Sequence, residues 1–222
     1  MFNFTYHNPT RILFGEGQIA NLTPLLPKGS KIMLTYGGGS IKQNGVYDQV
    51  IQALAGFDVV EFAGIEPNPA YETCMKAVAV VKQQQIDFIL AVGGGSVIDG
   101  AKFIAAAARY DGDGWDILTR KAKVKAAVPL ACVLTLPATG SESNSGSVIT
   151  KYSTQQKLSF MSPHVYPTFA VLDPTVTYSL PPRQIANGAV DAFVHIVEQY
   201  LTYPVEAAVQ DRFAEGLLLT LS

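Results

Sequence analysis

From residue 31 onward, short β-branched and aliphatic runs alternate with longer amphipathic stretches, the pattern of βαβ units laid on a parallel sheet. Lys31–Tyr36, Asp58–Phe62, Asp87–Val92 and Ala131–Leu136 predict strands. Ile41–Leu54 repeats apolar residues at Val46, Val50, Ile51 and Leu54 and predicts a helix. Pro69–Lys82 predicts a second, with Asn68 as its N-cap and Pro69 at its first helical position. Phe2–Tyr6 and Arg11–Phe14 suit a hairpin or edge strands, as do Ser147–Tyr152, Lys157–Met161 and Phe169–Leu172. The character changes at Ser179-Leu180-Pro181-Pro182. Beyond it Gln184–Thr202 and Val205–Leu221 are helical throughout, the latter carrying Phe213, Leu217, Leu218 and Leu221 on one side. The fold class is therefore α/β, with a domain boundary near residue 180 that separates an α/β domain over residues 1–180 from helices over 181–222.

Composition changes this picture little. The chain has 222 residues, 48% hydrophobic and 15% charged, with sixteen basic against eighteen acidic side chains. That is a globular balance without the basic surface a nucleic-acid binder needs. No apolar run is long enough to span a bilayer, and Met1–His7 lacks the basic start and apolar run of a signal peptide. Cys74 and Cys132 are far apart in apolar surroundings, so the expected location is the reducing cytoplasm and a disulfide is not expected.

Four segments carry candidate chemistry. Asp87–Val92 runs directly into Gly93-Gly94-Gly95-Ser96 and then a helix with Asp99 and Lys102. A buried strand, a glycine turn and a helix N-terminus form an anion cradle, in which close backbone approach, free amides and the helix dipole all suit a pyrophosphate. The spacing is not the common dinucleotide fingerprint, because Ile98 occupies the third glycine position. A purely structural strand-to-helix turn is the alternative.

A second glycine turn, Gly37-Gly38-Gly39-Ser40, follows the first strand, where an adenosine ribose lies in such folds. It carries no carboxylate for a ribose 2′-hydroxyl, and its amides and hydroxyl leave room for a 2′-phosphate, so the turn leans toward NADP; an ordinary tight turn would look the same. Thr135-Leu136-Pro137-Ala138-Thr139-Gly140-Ser141-Glu142-Ser143-Asn144 ends a strand in small hydroxyl residues that can bond ribose, amide or phosphate. A polar surface loop reads similarly. Finally, Asp191 and His195 stand at i and i+4 on one helix face, half of a divalent-metal site open to Fe²⁺ or Zn²⁺. On spacing alone such a pair is more often an ordinary surface ion pair.

Taken together, Pro9–Gly15, Gly37–Ser40, Gly64–Pro69, Gly93–Asp99, Leu134–Asn144 and Asn187–Glu198 resemble the iron-activated, or group III, alcohol dehydrogenases. The likeness is greatest to their NADPH-dependent aldehyde reductase branch, which includes butanol dehydrogenase-like enzymes. The resemblance implies a Rossmann-like N-terminal domain and an all-helical C-terminal domain of the dehydroquinate synthase-like superfold, with cofactor, metal and substrate in the cleft between them. It implies that Asp191 and His195 are metal ligands, reversing the odds set by spacing alone. It also implies that Gly94, Gly95, Ser96 and Asp99 surround the pyrophosphate and nicotinamide side, that Thr135, Thr139 and Ser141 line the cofactor, that Lys157 reaches its ribose or phosphate, and that Gly38 and Ser40 meet the 2′-phosphate of NADP(H).

The expected activity is hydride transfer between NADP(H) and a small aldehyde or primary alcohol, in a homodimer formed through the edge strands within Phe2–Phe14. The family draws two further histidine ligands from helices past Ser222, so the chain is expected to be a truncated form. The rival readings are a catalytically incomplete nucleotide-binding fragment and another member of the superfold, such as a glycerol dehydrogenase or a sugar-phosphate cyclising synthase.

Overall fold

The computed structural model describes residue 3, residues 5–202 and residues 206–222. Eight strands are present among them: β1 (Arg11–Phe14), β2 (Lys31–Tyr36), β3 (Asp58–Phe62), β4 (Phe88–Gly93), β5 (Leu130–Leu134), β6 (Gly146–Lys151), β7 (Gln156–Met161) and β8 (Phe169–Leu172). The helices are α1 (Val46–Ala53), α2 (Tyr71–Gln84), α3 (Gly95–Ala108), α4 (Trp115–Leu118), α5 (Pro182–Thr202) and α6 (Ala208–Leu221). Six strands form one parallel, Rossmann-like sheet in the order β1-β8-β5-β4-β2-β3, and β6 and β7 form a separate antiparallel hairpin.

The central strands are apolar almost without interruption because both faces of the sheet are covered. Their period of two sorts the side chains. Phe88, Leu90, Val92, Ile32 and Leu34 enter a core with α1 and the N-terminal turns. Met33, Ile89, Ala91, Cys132 and Leu134 enter a second core with α2, α3 and α4. α3 is buried nearly all round, including Phe103, Ile104 and Ala105–Ala107. Both cysteines are buried and unpaired. No helix among the described residues is long and apolar enough to cross a membrane.

Several expected boundaries shift, each for a local reason. Asn68 does not cap α2. Its backbone is left-handed (φ 57°), and Pro69 and Ala70 are held by the β6 hairpin, Pro69 O accepting from Thr150 N at 2.9 Å and Ala70 bridging Thr150. The N-cap is Ala70 and the helix begins at Tyr71. The helix expected over Ile41–Leu54 is a 3₁₀ turn, Ser40–Lys42, followed by α1, because Gly45 is left-handed (φ 78°) and interrupts it. β1 is not half of a hairpin; it extends the main sheet in parallel beside β8. In the Phe2–Tyr6 run, residues 2 and 4 lie outside the described residues, and Thr5 and Tyr6 form no strand. Val205, the expected start of the last helix, also lies outside them.

Candidate functional site

The chain runs from β2 outward to β3, then returns to place β4 on the other side of β2. The intervening helices pack on opposite faces, α1 in one core and α2 in the other. A crevice therefore opens outside the carboxyl ends of β2 and β4, the position at which open parallel sheets take their ligands. The glycine turns and the hydroxyl-rich loop leave the sheet there, from β2, β4 and β5.

Glycine is required at the turn after β4 for steric reasons. A β-carbon on Gly93 would lie 2.6 Å from Val97 Cγ2, and one on Gly95 would lie 2.9 Å from Thr139 Cγ2 and nearer still to Thr139 Oγ1. Gly94 is the N-cap of α3, and the first helical bonds are those from Val97 N and Ile98 N to its carbonyl. The Gly95 and Ser96 amides therefore precede the helical ladder at the positive end of a fourteen-residue helix. The neighbouring turn approaches closely: a β-carbon on Gly37 would meet the Ile65 carbonyl at 3.2 Å and Val97 Cγ2 at 3.6 Å. Gly38 faces open space and Ser40 is exposed.

One strand over, Glu61 of β3 accepts from the Tyr36 hydroxyl at 2.7 Å and the Tyr47 hydroxyl at 2.6 Å, and Lys42 Nζ lies 3.6 Å away. These phenols, Tyr47 first, hold its carboxyl below the usual range. Its negative charge is thus already compensated.

The β5 loop lies against α3. Thr135 N donates to Gly93 O at 3.0 Å, and Thr139 covers Gly95. Ser141 Oγ donates to Asp99 Oδ1 at 2.5 Å, while Asp99 Oδ2 accepts from Val148 N at 3.0 Å. Burial pushes the Asp99 carboxyl above its ordinary range, against the opposing effects of Ser141, Val148, Lys102 and Lys157. Lys157, on β7, reaches the site through Asn68: its Nζ donates to Asn68 Oδ1 at 2.7 Å, and Asn68 N donates to Ser96 Oγ at 3.2 Å.

The structure thus gathers Gly94, Gly95, Ser96, Asp99, Thr135, Thr139, Ser141 and Lys157 around the start of α3, with Gly38 and Ser40 on the adjoining turn. Three participants were not among the expected site residues: Asn68, expected only as the N-cap of α2, Asn144 and Lys102. Asn68 had a readable signal, since Asn is one of the few non-glycine residues that visit the left-handed region. So did Lys102, a lysine on an otherwise apolar helix one turn from Asp99.

Asp191 and His195 lie on α5, with His195 Nε2 3.7 Å from Asp191 Oδ2 and side chains 57% and 46% exposed, respectively for His195 and Asp191. Among the described residues no third His, Cys, Asp or Glu stands near enough to complete a metal site. As a donor set the pair suits a divalent ion but supplies only two ligands. α5 meets the β5 loop at Gly188, where a β-carbon would lie 3.1 Å from Pro137 O. Between them is a cleft of about 630 Å³ lined by Leu136, Pro137, Tyr178, Ile185 and Ala192, among others.

A family model for iron-containing alcohol dehydrogenase matches residues 9–174, the span that holds the sheet and its three loops. The chain belongs to that family. Within the iron-containing alcohol dehydrogenases it is 63% identical to the NADPH-dependent aldehyde reductase YqhD of Escherichia coli K12, over all of this chain and 58% of that protein. It is 53% identical to the probable NADH-dependent butanol dehydrogenase 1 of Bacillus subtilis, again over all of this chain and 58% of that one. The crystal structure of E. coli YqhD superposes with a TM-score of 0.96 at 63% identity, covering 99% of this chain and 57% of that one. The chain therefore spans less than three-fifths of the length of these relatives.

Proposed function

We propose that the chain is the cofactor-binding part, with half of the metal-ligand set, of an NADP(H)-dependent aldehyde reductase or alcohol dehydrogenase. The observation that carries this is the convergence of two glycine turns and a hydroxyl-rich loop on the free end of α3. Gly94, Gly95 and Ser96 hold the pyrophosphate with backbone amides. Thr135 and Thr139 border the cofactor. Asp99 and Ser141 shape the site from beneath, and Lys157 faces a ribose or phosphate oxygen. Gly38 and Ser40 receive the 2′-phosphate, with the nearby Glu61 already bound by two phenols and Lys42.

Asp191 and His195 would hold a divalent ion, Fe²⁺ or Zn²⁺. When bound, the ion supplies Lewis acidity toward a carbonyl or alcohol oxygen and NADPH supplies the hydride. The chain's part is orientation and exclusion of water along the cleft between the β5 loop and α5. That cleft is the place for a small aldehyde or primary alcohol.

We further infer two domains, residues 1–180 and 181–222 with whatever helices complete the second. A homodimer is proposed through the β1 edge, where Ile12 and Phe14 are 45% and 71% exposed. A cytoplasmic location is supported by the two buried free thiols. The rival reading, nucleotide binding without turnover by these residues alone, is favoured by the two-ligand donor set.

Calorimetric titration of the chain with NADPH and with NADH tests the cofactor reading. Tighter NADPH binding is expected, and failure to bind either nucleotide would overturn it. Aldehyde reduction by a version extended to the length of its relatives tests the activity.

A further inference from the structure

Lys102 sits in the middle of α3 with none of its surface exposed. An ammonium so placed is strongly destabilising unless every proton finds an acceptor. Its Nζ donates to Ser141 Oγ at 3.0 Å, Asn144 Oδ1 at 2.9 Å and the Gly146 carbonyl at 2.8 Å. Three protons meet three acceptors, and none of these acceptors is a carboxylate.

The nature of the donor then fixes the direction of the network. An ammonium has no lone pair, so Ser141 Oγ accepts from Lys102 and its single proton goes to Asp99 Oδ1. The Ser141 hydroxyl, in a residue only 2% exposed, has no proton left for a cofactor. Its role is to connect a buried cation to a half-buried carboxylate. All three acceptors of Lys102 fall within residues 141–146, directly after Thr139, which lies over Gly95. The charged and titratable groups facing Lys102 are Asp99 on its own helix, Cys132 on β5 and Glu142 in the loop, with Lys157 of β7 acting on Asp99.

We propose that Lys102 is a positioning residue for the cofactor, its ammonium holding the 139–146 loop against the start of α3 so that the pyrophosphate cradle is formed before the nucleotide arrives. The inference rests on the NADP(H) reading of the site, and it extends that reading to a residue that would not touch the cofactor. An ammonium held close to the cradle also adds positive potential for an anionic ligand. Burial pushes this group down to about 8, with Asp99 opposing. NADPH affinity should therefore fall as pH rises through that value, because the ammonium loses a proton that it needs for both tasks.

The experiment is titration of NADPH into the 222-residue chain between pH 7 and 9, alongside Lys102→Met and Asn144→Ala. The wild type should bind and should weaken across that range. Lys102→Met should bind about tenfold less tightly at pH 7, the scale of leaving buried acceptors without their donor, and should show a flat pH profile. Asn144→Ala removes one acceptor from the loop without altering the helix, and should weaken binding while keeping the pH dependence. A wild type that binds neither nucleotide refutes the cofactor reading itself. A wild type that binds NADPH with a flat profile, or a folded Lys102→Met that matches it in affinity and profile, overturns the Lys102 proposal and leaves the cofactor reading standing. The wild-type profile needs no variant to fold.

Discussion

Thr139 lies so close over Gly95 that a methyl group on the glycine would come within 2.9 Å of the Thr139 Cγ2. Two segments separated by more than forty residues thus meet with no space for a side chain, at the helix end proposed above to receive a phosphate. Gly95→Ala should push the β5 loop off α3. The expected result is loss of NADPH binding together with a destabilisation of about 1–3 kcal/mol, typical of an overpacked contact. Calorimetry and denaturant unfolding would measure the two effects, and an unchanged affinity would show that the contact does not bear on the cofactor.

Ser40→Asp should reverse the nucleotide preference. Ser40 is exposed at the start of the 3₁₀ turn after β2, and Gly38 leaves open space beside it. A carboxylate there would repel a 2′-phosphate and accept from a free 2′-hydroxyl. The measurement is paired titration with NADPH and NADH. Equal affinities in the unsubstituted chain would remove the basis for the prediction.

The contribution of Lys102 to the stability of the nucleotide-free chain should show the opposite pH trend from the NADPH affinity. Burial holds the Lys102 ammonium at about 8 in the folded chain, against 10.5 for an ordinary lysine. Its folded pKa is lowered, so above 8 the folded state releases the proton first and the unfolded state binds more protons. Stability from this group therefore rises with pH between the two values, by about 1 kcal/mol from pH 8 to 9. The buried thiols act the other way from about pH 8 upward, where the unfolded chain begins to ionise its cysteines, because burial pushes Cys74 up to about 12 and raises Cys132 as well, and over this window they offset a gain of the same order. The thiols are common to wild type and Lys102→Met, so between pH 8 and 9 the unfolding free energy of the wild type should change by about 1 kcal/mol more in the stabilising direction than that of Lys102→Met. Parallel changes in the two proteins would contradict it.

Much of the sheet was readable because doubly covered strands are apolar throughout and end in glycine turns, as Asp87–Gly95 illustrates. Of the two roles open to Arg11–Phe14, hairpin or edge strand, the structure takes the edge strand; the sequence could not choose, because four residues carry no record of partner or direction and β8 lies more than 150 residues away. Asn68 was misread because Asn-Pro before an apolar run is equally a capping signal. Only the pairing of Ala70 with Thr150 decides against it. In the site, the glycines and hydroxyls were legible from local composition. The Lys102–Ser141–Asp99 network was not, since its members combine an i,i+3 helix pair with a loop forty residues on, and only the fold brings them together.

The β1 edge bears on assembly. Ile12 and Phe14 are exposed on a strand whose outer side has no neighbour among the described residues, and such an edge invites pairing with a second copy. Ile12→Lys with Phe14→Lys should give a monomer by sedimentation while keeping β1 on β8, because neither side chain is buried. A dimer that persists would place the interface elsewhere.

The final prediction concerns the metal. Asp191 and His195 offer one carboxylate and one imidazole on a single exposed helix face, and no third ligand joins them among the described residues. Two ligands leave a divalent ion mostly hydrated, whereas closed or catalytic sites use three or four protein ligands. The 222-residue chain should therefore lose Fe²⁺ or Zn²⁺ on dialysis. In a version extended to the length of its relatives, one ion per chain should be retained, and His195→Ala should release it. NADPH affinity should stay nearly unchanged in that variant, because the side chain of His195 is not part of the cradle at α3, and α5 meets the β5 loop at Gly188 and not at His195. Elemental analysis after dialysis and a parallel NADPH titration separate the two sites. One tightly held ion in the 222-residue chain, or full retention by the extended His195→Ala protein, would show that the ligands lie elsewhere.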